Sequence, residues 1–132
     1  MSLQPKDMVW NRACLGEGGR NLRVGDKSLA DALRVHGLVM NGGVHHAVEV
    51  VGEAGVRAAV VGFEYFELQA IGDLLRAVLY DPRLREWTED TEDEANRQYW
   101  EVLPDDSKLV ERFEMAFRAK PEDFAGIGLP PN

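Results

Sequence analysis

Three histidines are the residues of this chain best suited to proton chemistry near neutral pH. Two of them are adjacent, His45 and His46 in "LVMNGGVHHAVEV" (38–50). A neutral imidazole can exchange a proton or bind a metal. Successive helical residues point about 100° apart, so this pair does not chelate one ion together. A helical zinc pair needs a spacing of three or four. His46 and Glu49 are three apart and supply one imidazole–carboxylate pair. His36 joins them only where two helices pack closely. His36, His45, His46 and Glu49 therefore define a candidate pocket for a small ligand or for acid–base chemistry. The plainer expectation is one buried and one exposed histidine. No cysteine pair supports a metal site, so neither metal nor cofactor is expected and no catalytic residue is assigned.

The other reactive residue types carry less. Cys14 is the single cysteine, which fits a reducing cytoplasm, and its place in an amphipathic pattern reads as a small buried residue. "GEGGR" (16–20) has the glycines of a phosphate loop, but it follows a helix and lacks the Gly-Lys-Ser/Thr ending, so a loop is the reading. Ser2, Ser28 and Ser107 lie in no nucleophile elbow.

Charge is more informative. Residues 1–66 hold seven Lys/Arg and seven Asp/Glu, while residues 67–132 hold eight and sixteen, so the whole net charge of −8 sits in the C-terminal half. Its densest stretch is Glu86, Glu89, Asp90, Glu92, Asp93 and Glu94. Such a chain repels phosphate backbones, which argues against direct nucleic-acid binding and for a basic protein partner. The run reads either as a solvated loop and helix start, or as a surface imitating phosphates spaced ~3.4 Å apart along a strand. There is no Asp-x-Asp-x-Asp-Gly loop for calcium.

The elements that must position these groups are helical throughout. A first helix covers about 5–15, and a second starts near Ser28 as cap, with Leu29, Ala32, Leu33, His36 and Met40 as its inner stripe. Asn41-Gly42-Gly43 is the corner that follows. Asn41 and Gly42 are expected in the left-handed conformation, inside the protein, with Asn41 bonded to neighbouring helices. "VHHAVEVV" is a short helix ended by Gly52 and Gly55, followed by helices over about 54–65 and 67–80. Residues 81–94 form a polar connection. Helices over about 91–101 and from Ser107 onward pack Ala95, Tyr99, Leu109 and Phe113. Trp87 and Trp100 suit either the core or a homodimer patch.

The expected fold is thus an all-α, single-domain compact bundle of six or seven short helices over 1–132. Residues 1–3 read as an expression scar, and 121–132 as a tail anchored by Phe124. No apolar run reaches the ~18–20 residues of a membrane span, and the N-terminus lacks a signal-peptide pattern, so a cytoplasmic location is expected.

Trp10-Asn11, "HGLVMNGGVHHAVE" (36–49), "GFEYFELQAIGDLLRAVL" (62–79), Tyr99 and "PEDF" (121–124) together resemble the DNA-mimic-protein-like family of bacterial domains of unknown function. Val44 departs from the aromatic common after the Asn-Gly-Gly element. The resemblance implies an all-helical protein-interaction module, acting as an acidic DNA mimic or as an immunity-type inhibitor of a basic partner such as a DNA-binding protein or a toxin. The alternatives are the histidine pocket and a scaffold domain without a ligand of its own.

Overall fold

Aspartate at the third position of a helix can turn back to bond the free N–H at its start. Asp26 does this: its Oδ2 accepts the Arg23 N–H at 3.1 Å. The second helix therefore begins at Val24, one turn before the expected cap at Ser28, which is buried inside it. The fold is seen in a computed structural model that describes residues 4–14 and 22–125. "GEGGR", Ser2, residues 1–3 and the tail beyond Ala125 lie outside the described residues.

In chain order the helices are α1 (Pro5–Cys14), α2 (Val24–Gly42), α3 (Val44–Tyr65), α4 (Gln69–Tyr80), α5 (Pro82–Arg85), α6 (Glu89–Val102) and α7 (Ser107–Ala119), then a 3₁₀ turn at Pro121–Asp123. Among the described residues there is no strand and no helix long and apolar enough to cross a membrane. The all-α bundle is as the periodicity predicts.

The α2–α3 hairpin is the spine. Leu29, Ala32, Val35 and Val39 of α2 meet Val44, Ala47, Val56, Ala59 and Phe63 of α3, all nearly inaccessible to solvent. The two backbones touch at Gly62, where a Cβ would come within 2.4 Å of the Ser28 carbonyl. α4 adds Ile71, Leu74, Leu75 and Val78, and α6 and α7 add Tyr99, Leu109 and Phe113. The two helices expected over 44–65 are present as the two segments of α3, broken as expected at Gly52, whose non-helical φ of 73° a larger residue would rarely adopt. Gly55 continues the helix and does not end it.

The Asn-Gly-Gly corner differs from expectation. Asn41 and Gly42 remain in α2 and are exposed; Gly43 alone turns the chain, with φ 93°. The bonding role expected of Asn41 falls to the half-buried Asn96 of α6, whose Oδ1 accepts the first N–H of α3, Val44, at 2.8 Å. Gly42 has a different reason: the His46 ring lies where its Cβ would be.

The stretch read as a connection contains α5, capped by Asp81 Oδ1 on the Arg83 N–H at 2.9 Å. Thr88 and Thr91 then cap each other's backbone to open α6. Met40 is 44% exposed and ends the inner stripe of α2 early, whereas Phe124 is buried as expected. Phe124 sits on Gly25, where a Cβ would approach its ring at 2.6 Å.

Candidate functional site

α2 is amphipathic, and its inner side carries one imidazole among aliphatic neighbours. His36 is 2% exposed, so both ring nitrogens need partners. Nδ1 is 2.6 Å from the Tyr99 hydroxyl of α6. Nε2 is 2.8 Å from Asp106 Oδ1, at the start of α7. A carboxylate accepts only, so with a neutral ring Nε2–H donates to Asp106 and Nδ1 accepts the Tyr99 O–H. The Tyr99 phenol is pushed strongly up, first by burial and then by the Asp106 charge, and stays a neutral donor. The result is a directed chain from the core, Tyr99 to His36 to Asp106, whose last member is 65% exposed.

Asp106 reaches His36 because it does not cap its own helix. It occupies the N-cap of α7 without a side-chain cap bond, and Asp105 Oδ1 accepts the Ser107 N–H instead, at 2.8 Å. Asp105 is accordingly held below the usual carboxylate range, first by Ser107.

This chain opens on a cleft of about 680 Å³ between α1, α2 and the start of α7, lined by Trp10, Leu33, Arg34, His36, Met40 and Asp106 among others. Cys14 lines it too and is exposed, not the buried residue its pattern suggested. It is the last residue of α1, one position beyond the buried Ala13. Partial burial, and then Asp106, push its thiol up, which disfavours the thiolate a nucleophile requires.

The four residues of the expected pocket do not converge. Buried His45 donates from Nε2 to the Leu84 carbonyl of α5 at 2.7 Å and stacks on Trp87, ring centroids 6.1 Å apart. Its Nδ1 is buried without a hydrogen-bond partner among the described residues. His46 is half-buried over Gly42, and Glu49 is exposed. Only His36 reaches the cleft. Among the described residues no group of three or more His, Cys, Asp or Glu could hold a metal ion.

The acidic run divides by role. Glu89, Asp90 and Glu92 fill the first turn of α6, where negative charge suits the helix dipole. Glu92 also accepts the Trp87 indole N–H at 2.6 Å. Glu94 pairs with Arg97 at 2.6 Å and accepts from Gln98, which hold its carboxyl down at about 2. Glu86, Glu89, Asp90 and Asp93 are exposed. Trp87, 46% exposed, stands among them, whereas Trp100 packs partly into the core.

Tyr99, Asn96 and Asp106 were not legible as functional residues. Their partners lie 63, 52 and 70 positions away in the chain, and no local spacing encodes such pairs. No protein-family model matches this chain, and neither the curated proteins nor the solved structures give a significant match.

Proposed function

We propose that the chain is a protein-interaction module that receives a basic protein on the outer side of α5 and α6. The observation that carries this reading is Trp87. Its ring is half-exposed, backed by His45 and tied to Glu92, and the carboxylates of Glu86, Glu89, Asp90 and Asp93, near it in the chain, are exposed. A rigid indole supplies apolar contact at small entropic cost, and tryptophan is enriched among residues that dominate binding energy. These charges would steer a basic partner and select against acidic ones. Glu89 and Asp93, one helical turn apart, share one side of α6.

A DNA-binding protein held by phosphate mimicry and a toxin held by an immunity-type inhibitor are the two forms of this reading. Competition by duplex DNA separates them.

The test is a salt-graded capture from host lysate, using the parent chain, Trp87→Ala, and a triple charge reversal at Glu89, Asp90 and Asp93. Glu92 is left intact because it holds Trp87. A basic protein retained at low salt, and lost with salt and with either variant, is the expected result. A partner indifferent to both variants would remove this surface from the function.

A further inference from the structure

The cleft beside His36 plays no part in that reading, yet it holds two opposite charges that do not neutralise each other. Asp106 is fixed by His36 through Oδ1 and does not cap α7, so its other oxygen carries no protein hydrogen bond among the described residues. Arg34 lines the same cleft, is exposed, and pairs with no carboxylate among the described residues. Arg34 is four residues from Ala30 and three from Gly37, which also line the cleft, so the three share one side of α2. Much of the remaining lining is apolar, with Trp10, Leu33, Met40 and Ala13. A volume of about 680 Å³ falls within the range of small-molecule sites, where apolar walls carry a few placed polar groups.

We infer that this cleft binds a small zwitterion with an apolar body, of the amino-acid class, its ammonium on Asp106 and its carboxylate on Arg34. A lone cation would meet Arg34, and a lone anion would meet Asp106; only a ligand carrying both charges satisfies the lining. The Tyr99–His36 chain has a positioning role. It fixes the carboxylate so that the side chain need not be ordered when ligand arrives.

The experiment titrates the full chain with L-leucine and L-phenylalanine, and with the single-charge analogues isoamylamine and 4-methylpentanoate. Binding is followed by calorimetry and by amide NMR shifts at Cys14, Gly37 and Asp106. One or both amino acids should bind with millimolar or tighter affinity, and each analogue about tenfold or more weaker, the loss expected when a charged partner is removed. Arg34→Gln should weaken binding to a similar degree with an unchanged melting temperature, since the side chain is exposed and pairs with no carboxylate among the described residues. Asp106→Asn should do the same. Because it also touches His36, its folding is checked by the same melt, and Arg34→Gln decides if it unfolds. No cleft shift with any probe up to about 10 mM would overturn the inference. So would an amine that binds as well as the amino acid while Arg34→Gln is without effect. The charge reversals on α6 should leave the titration unchanged, which separates this inference from the partner-binding surface.

Discussion

Two of the buried polar side chains of α2, Asp26 and His36, lie ten residues or about 15 Å apart along the helix. Their surroundings are opposite. Asp26 is 1% exposed and both its oxygens are used: Oδ1 by Arg12 at 2.6 Å, Oδ2 by the Arg23 and Ala125 N–H groups. It ties α1, the start of α2 and the C-terminal segment into one knot. Tyr65 extends the knot by donating to Asp123 at 2.6 Å, and the Tyr65 phenol is pushed strongly up by burial and by that bond. His36 is as buried, but its chain ends on a carboxylate that is mostly in solvent. A closed network spends its polarity on the fold. An open one keeps a polar group at the surface that an outside molecule can reach.

Breaking the closed knot should cost most. Asp26→Ala leaves Arg12 without its buried counter-ion and two backbone N–H groups without an acceptor, so a loss of about 3–5 kcal/mol in denaturant unfolding is expected. Proteolysis should reach residues 121–125 sooner. A loss below about 1 kcal/mol would mean that the knot is not what closes the molecule.

Tyr99→Phe breaks the open chain at its buried end. It removes one hydroxyl, leaves His36 Nδ1 unpaired in the core, and should cost about 1–3 kcal/mol. Asp106→Asn, at the exposed end, should cost less than Tyr99→Phe in the same experiment. The reverse order would contradict the contrast between sealed and open ends.

The α2–α3 corner is a smaller test. Asn96→Ala removes the acceptor of the Val44 N–H and should cost about 1 kcal/mol, as for a lost helix cap. Asn41→Ala, at an exposed site, should lie within about 0.5 kcal/mol of the parent. Equal effects would return the corner to Asn41.

The exposed acids should respond least, and their pH sign is defined. Glu94 has a folded pKa of about 2, below the usual carboxylate range, because Arg97 and Gln98 bond its charged form. Its contribution is present above the unfolded carboxylate range and is lost as pH falls through the folded value. The melting difference between the parent and Glu94→Gln should be small at neutral pH, and should vanish as pH approaches about 2. A difference that grows on acidification would reverse the sign.

Much of the fold was legible because it rests on local periodicity. The stripe expected over 67–80, Leu68, Ile71, Leu75, Val78 and Leu79, has the turn spacing of one helix face; the first four are buried and Leu79 is partly buried. Gly52 breaks the helix geometry where its sequence position suggests. Errors fell where a distant group changed the local balance. Asp26 moved the start of α2 forward from Ser28, and Asn96 took the role assigned to Asn41. The histidine pocket failed for the same reason: His45 and His46 turn to different neighbours, the Leu84 carbonyl and Gly42.

By itself, then, the sequence determined the helical class, the core stripes, the buried Phe124 and the concentration of negative charge in the second half. These follow from side-chain type and spacing within one turn or one element. Only the tertiary structure decided that His36 meets Tyr99 and Asp106, that Asp26 meets Arg12 and Ala125, and that Trp87 stands half-exposed. The physical reason is reach. Periodicity acts over a few residues, whereas a buried polar group must take whatever partner the packed helices bring within about 3 Å, however far away it lies in the chain.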